Sequence, residues 1–354
     1  MVFLMKKYEF ILKKNSFDLL KYWAAFSVMF LHYTYYAFIE AEQAWDFMDR
    51  LRKISEFFPG VIVLFTISGF LISNSMECSK SKKEFIKKRI FRLYPELWLC
   101  TLVNLGVLLI IAREYMDKKI VLWIVTQFFG IANTPSSLNT FATGSVNGAL
   151  WTIFVEVQLY IIVCIGYGKL KKINIFHWSI LLMVLAGLNL CCDYIARKQQ
   201  NGLIPKLIER SFFPYAIWFM IGVFCYRYRR NIIGYLRYLT IPMLGIYRYV
   251  WINSAGQPGY YKGIGISILC PFIIIGLAYL LPTIRLKRDL CYGMFLYHWI
   301  VLNIIVKFKL LDKWKWYVCL IFFILTTLLL AYLSNVIIKK CLGLIDKRKK
   351  EVEL

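Results

Sequence analysis

Long apolar stretches alternate with short polar, mostly basic stretches along the whole chain. A helix needs about 20 predominantly apolar residues to cross the hydrocarbon core of a bilayer, and ten stretches come close to that length. The pattern therefore predicts an all-α, polytopic integral membrane protein with about ten transmembrane helices. The predicted spans lie near residues 17–39, 57–76, 93–112, 148–168, 173–192, 211–227, 231–251, 262–281, 290–306 and 315–338.

The segment Ile120–Ile131 is apolar, but at about a dozen residues it is too short to cross the bilayer unaided. A full span there would place the basic run Lys169–Lys172 outside the cell. We therefore predict an interfacial or re-entrant element within a long external loop, residues 113–147, whose second half is polar and rich in turn residues. The sequence shows no soluble domain or internal repeat, so one transmembrane domain, residues 1–354, is expected.

Composition and charge support the same class. Of the 354 residues, 60% are hydrophobic and 18% aromatic, and the mean hydropathy is +0.59, which excludes a soluble protein of this size. The net charge of +24 does not indicate a nucleic-acid partner, because the basic residues cluster between the predicted spans. With both termini in the cytoplasm, all clusters obey the positive-inside rule and the partner is the bilayer. The clusters are Lys80–Arg92, Lys169–Lys172, Arg227–Arg230, Arg285–Arg288 and Asp346–Lys350.

Signals of processing or of a metal site are weak. Residues 1–15 are mixed and basic, and no clear cleavage site follows, so the first apolar helix is expected to remain. The ten cysteines lack metal-ligand spacing, and the adjacent Cys191 and Cys192 suit neither a disulfide nor zinc. Most lie in apolar runs and are expected to be buried. Three dispersed histidines without a carboxylate cluster predict no metal.

The first predicted span keeps three ionisable residues, which are costly in hydrocarbon unless they are paired or used. Lys21 and His32 are eleven residues apart and share one helix face, about 16 Å apart along the axis, with Asp18 one turn before Lys21. This stripe must face protein or water. It either lines a functional path, or Asp18 and Lys21 form an interfacial pair while His32 is a packing histidine.

A second candidate lies in the basic run before the third predicted span. Arg89 and Arg92 are three residues apart, so they point the same way if the helix begins before them, and Pro95 lies near the entry to the span. Two guanidinium groups beside a helix start can bind phosphates in a bidentate manner. The alternative is an ordinary positive-inside anchor.

Glu156 lies inside the fourth predicted span. Thr152, Glu156 and Tyr160 repeat every four residues and form a polar stripe on an apolar helix. A carboxylate in this place needs a partner, and His32 or an arginine is the natural candidate. The alternative is a structural interhelical pair.

The ninth predicted span contains His298 between Tyr297 and Trp299. An aromatic belt at the membrane interface explains the two aromatic residues but not the histidine. The remaining histidine, His177, lies near the start of a predicted span and is expected to be interfacial.

Arg237 and Arg248 fall within the seventh predicted span, eleven residues apart and so on one helix face. Snorkelling towards the interface explains arginines near a helix end, whereas a path for an anionic group would explain both. The sequence leaves this choice open.

Five stretches of the chain, which include those around His32, Arg89, Glu156 and His298, resemble in their order the motifs of one family. This is the acyltransferase 3 family of integral-membrane acyltransferases, many of which O-acetylate surface polysaccharides. The resemblance implies that His32 is catalytic, that Arg89 and Arg92 engage an acyl-CoA donor, and that Glu156 supports catalysis or the acceptor site. Lys21 stands where many members have arginine, and lysine cannot make the same bidentate contact. The stretches are Phe17–His32, Phe65–Ser73, Arg89–Pro95, Trp151–Tyr160 and Tyr292–Trp299.

The resulting hypothesis is acyl transfer, most simply of acetyl, from acyl-CoA such as acetyl-CoA to a hydroxyl of a surface or lipid-linked glycan, at the inner or plasma membrane. His32 acts as general base or is transiently acylated, with Glu156 or Asp18 orienting it. Lys21 helps to hold the donor and His298 supports the site. The rival hypothesis is a transporter or flippase of a glycan or anionic metabolite. A sensor or scaffold protein is a distant third possibility.

Overall fold

The structure, a computed structural model, describes residues 14–40, 45–199, 202–253, 264–284 and 286–352. Predictions about residues 1–13, about the start of the span at 262 and about Arg285 in the basic run lie outside these residues. The described chain forms helices and no strand, which confirms the all-α class. Its fifteen α-helices are α1 Phe17–Glu40, α2 Trp45–Phe57, α3 Gly60–Glu77, α4 Lys82–Ile111, α5 Lys119–Phe128, α6 Leu150–Leu170, α7 Ile175–Lys198, α8 Leu203–Glu209, α9 Ala216–Arg227, α10 Arg229–Asn253, α11 Ile264–Ser267, α12 Leu269–Leu280, α13 Cys291–Lys307, α14 Leu310–Lys313 and α15 Trp316–Val352.

The helices identify a multi-pass membrane protein. Within the described residues, five segments are long and apolar enough to cross a bilayer: Asp46–Glu77, Lys82–Ile111, Leu150–Leu170, Ile175–Lys198 and Trp316–Gly343. Each of the ten predicted spans overlaps a helix, but α9 and α12 have 12 residues each and α13 has 17. The count of ten and the orientation of the termini therefore stay predictions.

The outer surface of these helices is apolar, as a lipid environment requires. On α7, Met183 is 65% exposed and Val184 is 61% exposed. Arg237 and Arg248 are both exposed on α10, in agreement with snorkelling side chains.

All ten cysteines are free, and seven of them are buried, as the sequence predicts for most.

The chain divides into two compact units. The first consists of the described residues of Met1–Val28, Arg52–Phe85 and Val155–Arg288. In this unit α3 packs closely on α9, and two glycines make the close approach possible. A Cβ on Gly69 would overlap the carbonyl oxygen of Phe219, and a Cβ on Gly222 would overlap the carbonyl oxygen of Thr66. The glycine of the stretch Phe65–Ser73 is thus explained by close helix packing.

The second unit consists of the described residues of Met29–Leu51, Ile86–Phe154 and Asp289–Leu354. Here α13 packs along α15, and a Cβ on Gly293 would lie 2.9 Å from the Cβ of Ala331. The loop after α4 folds onto the end of that helix through a buried apolar cluster that includes Leu108, Trp123 and Phe141. Its helix α5 has ten residues, about 15 Å, so it is too short to cross, as predicted.

Candidate functional site

The second unit contains a pair of hydrogen-bonded histidines. The Nδ1 atom of His32, on α1, lies 2.9 Å from the Nε2 atom of His298, on α13. The two rings are nearly coplanar, with an angle of 4° between them. His298 is fully buried, whereas His32 is partly exposed. The structure therefore joins two of the predicted site residues directly, although they are 266 positions apart.

The hydrogen bonds determine which nitrogen carries a proton. The Nδ1 atom of His298 lies 3.2 Å from the carbonyl oxygen of Met294, which can only accept, so this nitrogen must be the donor. In the neutral ring the Nε2 atom of His298 is then an acceptor, and Nδ1 of His32 must donate to it. The Nε2 atom of His32 therefore keeps its lone pair. A histidine that acts as a general base or nucleophile uses a nitrogen in this state.

Trp299 forms a wall beside His32. Its ring meets the imidazole edge to face, with centroids 4.6 Å apart. The indole N–H donates to Thr143 Oγ1 at 3.1 Å and to the Ser145 carbonyl at 2.9 Å. A Cβ on Gly148 would come within 2.5 Å of the indole, so glycine is required there if the ring is to stay in this place.

The loop that holds Trp299 is itself fixed to α13 by Asn303. The side-chain oxygen of Asn303 accepts from the Thr143 hydroxyl at 2.7 Å, and its amide nitrogen donates to the carbonyls of Ser145 and Val146. From α1, the Tyr36 hydroxyl donates to the Thr143 carbonyl at 3.2 Å. The sequence predicts a loop at these residues but not its contacts with Trp299 and Asn303, for which an asparagine inside an apolar helix was the available signal.

Arg89 and Arg92 lie one turn apart on α4, which begins before them at Lys82, so the condition for their pointing the same way is met. The helix continues through Pro95 without a break. One turn beyond Arg92, the Glu96 carboxylate accepts from the Ser334 hydroxyl at 3.1 Å. Glu96 is a membrane-segment carboxylate that the sequence analysis also missed, and its charge within an apolar window was the signal.

Glu156 lies in the first unit with two hydroxyl donors. Its Oε1 atom accepts from Ser68 Oγ at 2.7 Å and from the Tyr160 hydroxyl, and these two hydroxyls are 3.2 Å apart. The predicted partner was a histidine or an arginine, whereas the partners found within this unit are hydroxyls. Tyr160 belongs to the predicted stripe, but the Thr152 hydroxyl instead donates to the Ala149 carbonyl.

Asp18 and Lys21 form an ion pair, as one of the two interpretations of the first span predicts. The Lys21 ammonium lies 2.9 Å from the Asp18 carboxylate, and the lysine side chain is 12% exposed. The other half of that interpretation, a histidine that merely packs, does not fit His32, whose ring is hydrogen-bonded to a second histidine. His177 is exposed and bonded to Asn174 at the start of α7, in agreement with an interfacial position.

Comparisons with known proteins cover nearly the whole chain. A protein-family model described as "Acyltransferase domain", that of the acyltransferase 3 family, matches residues 14–336. An "O-acetyl transferase" of Shigella phage Sf6 is 24% identical, over 93% of this chain and 96% of its own length. "Nodulation protein 10" of Rhizobium leguminosarum bv. viciae is 25% identical, over 85% of this chain and 86% of its own length. No solved structure gives a significant match.

Proposed function

The chain belongs to the acyltransferase 3 family, and from this premise we propose that it moves an acyl group, most simply acetyl, from cytoplasmic acyl-CoA to a hydroxyl of a surface or lipid-linked glycan. That it is an acyltransferase follows from the family, which removes the support for the transporter alternative. The name of the phage relative supports acetyl as the group transferred. The donor and the acceptor are parts of the proposal.

The observation that carries the proposal is the contact between His32 and His298, from which we infer that Nε2 of His32 keeps its lone pair. In the general-base route this nitrogen takes the proton of the acceptor hydroxyl while the oxygen attacks the thioester carbonyl. The C–S bond then breaks, and the CoA sulfur leaves and takes the proton from His32. Because His32 is positively charged in between, its Nδ1–H bond to His298 becomes a charge-assisted bond.

The second route uses the same nitrogen as a nucleophile. Nε2 of His32 attacks the thioester carbonyl, the C–S bond breaks and the CoA thiolate leaves, which gives a positively charged acyl-imidazolium. The acceptor oxygen then takes the acyl group, and its proton passes through the freed Nε2 atom to the thiolate. Both routes need Nδ1 of His32 to keep its proton and the ring to keep its direction. His298 is the orienting group that the second unit supplies, a role that the sequence analysis gave to Glu156 or Asp18.

The donor is proposed to bind at the basic end of α4. CoA carries several phosphates, and two arginines one turn apart suit bidentate phosphate contacts. From Arg92 to the end of the helix at Ile111 there are 19 residues, about 28 Å, which is close to the thickness of the hydrocarbon core. Such a helix supports a donor on one side of the membrane and an acceptor on the other.

Topology and the remaining residues belong to the same proposal. Ten spans with both termini in the cytoplasm, in the inner or plasma membrane, place every basic cluster on the donor side. The family match across residues 14–336 supports one catalytic domain. Glu156 is proposed to support the acceptor or the reaction from the first unit, and Lys21, with Asp18, to attract the donor.

The test is the transfer of radiolabel from acetyl-CoA into glycan, in membranes that contain the wild type, His32→Ala or Arg89→Ala/Arg92→Ala. We expect label with the wild type, none above background with His32→Ala, and a KM for acetyl-CoA raised about tenfold or more in the arginine variant, since charge-assisted phosphate contacts are lost.

The matched control is Lys83→Ala/Lys87→Ala, which removes two exposed cations from the same helix. Its KM for acetyl-CoA should stay within about twofold of the wild-type value, because these lysines do not belong to the proposed phosphate-binding pair and cannot make bidentate contacts. Equal effects of the two double variants would mean that the arginines act only through net charge. If no glycan is labelled and the purified protein has no affinity for acyl-CoA, the proposed donor is wrong.

A further inference from the structure

An open cavity of about 400 Å³ lies in the second unit where α13 ends. Its volume is in the range of small-ligand sites. The lining comes from three parts of the chain: the segment after α4, the loop before α6, and the turn between α13 and α14. The lining residues include Tyr115, Thr140, Ala142, Lys307, Lys309 and Asp312.

The backbone around this cavity is strained. Ala142 has φ of 47° and Lys309 has φ of 49°, and these are the two non-glycine residues with positive φ in the described parts of the chain. Non-glycine residues rarely adopt this left-handed conformation. Both of them line the same cavity. Strain of this kind gathers at binding and catalytic sites, where the surrounding structure maintains it.

The side chains at the cavity offer both a donor and an acceptor. Lys309 and Asp312 are exposed, and among the described residues neither side chain has an ion-pair partner. Lys307 is already paired with Glu114 at 3.1 Å, and its ammonium lies 4.9 Å from the centre of the Tyr115 ring. A free ammonium, a free carboxylate and an aromatic ring suit a ligand with many hydroxyls better than one with several phosphates, which Asp312 would repel.

The cavity is close to the histidine pair. His298 precedes Lys307 by nine residues on α13, about 13 Å along the helix. At the loop, Ala142 is followed by Thr143, which holds the Trp299 wall of His32. A ligand in the cavity therefore lies about 13 Å along α13 from His298, the hydrogen-bond partner of His32.

We propose that this cavity binds a hydroxyl-rich sugar ring of the acceptor, on the same glycan as the ring that receives the acyl group. The inference rests on the proposed function. Lys309 donates to a sugar hydroxyl or to the ring oxygen, and Asp312 accepts from a different sugar hydroxyl. Tyr115 contacts the apolar face of the sugar ring. The strained turns keep these groups in place before the acceptor arrives, which reduces the ordering cost of binding.

The first experiment measures transfer of label from acetyl-CoA to oligosaccharides released by mild acid from the host's own surface polysaccharide. Lys309→Gln and Asp312→Asn should each raise the KM for the oligosaccharide about tenfold, because each removes one charge-assisted hydrogen bond, with the KM for acetyl-CoA unchanged. The control Lys313→Gln, four residues from Lys309 and outside the lining, should stay within about twofold. Unchanged oligosaccharide KM values in both cavity variants overturn the inference, even if the wild type transfers acetyl.

The second experiment does not depend on turnover. Lys309→Cys and Lys313→Cys are introduced after the exposed Cys78, Cys191 and Cys341 have been replaced by serine, and a membrane-impermeant maleimide is added with and without the oligosaccharides. Protection of Lys309→Cys but not of Lys313→Cys supports the cavity as a sugar site. Protection without any transfer by the wild type would contradict the proposed function and leave the cavity site standing, whereas equal labelling in all conditions overturns the inference.

Discussion

Replacing His298 by leucine removes the acceptor for the Nδ1 proton of His32 and fills the buried site with an apolar side chain of similar size. His32 then loses its orientation and can carry its proton on either nitrogen. Replacing His298 by glutamine instead keeps an amide oxygen near the former Nε2 atom, so this variant can still accept the proton. The comparison therefore tests whether an acceptor at this position is needed, with the size of the side chain nearly constant.

The size of the effect follows from the geometry. The two nitrogens are 2.9 Å apart and His298 is 0% exposed, so water cannot replace the lost partner. A hydrogen bond to a charged group contributes about 1.5–3 kcal/mol, and about 1.4 kcal/mol corresponds to a tenfold change in rate. Because the bond is charge-assisted only when His32 is positively charged, we expect kcat to fall by about 10- to 150-fold in His298→Leu.

The assay is label transfer at saturating acetyl-CoA and oligosaccharide, with the KM for acetyl-CoA and the thermal unfolding temperature measured in parallel. His298→Gln should recover at least about a tenth of the wild-type kcat, and acetyl-CoA KM should stay within about threefold in both variants, since ground-state binding is not touched. The reasoning is refuted if folded His298→Leu keeps wild-type kcat, or if glutamine is no better than leucine.

Three further substitutions test the packing around the two sites. Gly148→Ala should lower stability by about 1–3 kcal/mol and reduce kcat, because the methyl group would overlap the Trp299 indole. In the control Gly166→Ala the added Cβ would have no neighbouring atom within 4 Å, so stability and kcat should both stay unchanged. Gly69→Ala should destabilise the protein by more than about 3 kcal/mol in thermal unfolding, because backbone cannot move aside as a side chain does; normal expression and stability would contradict this close packing. Ser68→Ala should cost about 1 kcal/mol by loss of its hydrogen bond, and no measurable loss would show that the bond contributes nothing.

Helix positions were predictable because membrane segments must satisfy their backbone hydrogen bonds internally and expose apolar side chains. The lengths were less predictable. The predicted span at 211–227 shortens to Ala216–Arg227, since Pro214 and the turn around it precede the helix. At α12, a turn at Ile268 separates the short helix before it, so one apolar run became two helices.

At the site, local spacing predicted some features and could not reach others. One turn between Arg89 and Arg92 is a property of one helix, so the sequence sufficed. The bond between His32 and His298 depends on how α1 packs against α13, which no local pattern encodes. The group that orients His32 was therefore predicted to be Glu156 or Asp18. Asn303 and Thr143 meet for the same nonlocal reason.

The hydrogen-bonded chain that begins at His32 ends at the carbonyl oxygen of Met294. Two linked imidazoles inside a membrane could conduct protons if a further titratable group followed them. A backbone carbonyl neither stores a proton at physiological pH nor passes one on, so the chain is closed at that end. Under the proposed mechanism, a proton taken up at Nε2 of His32 therefore has no onward route past Met294 and must leave from the side on which it arrived.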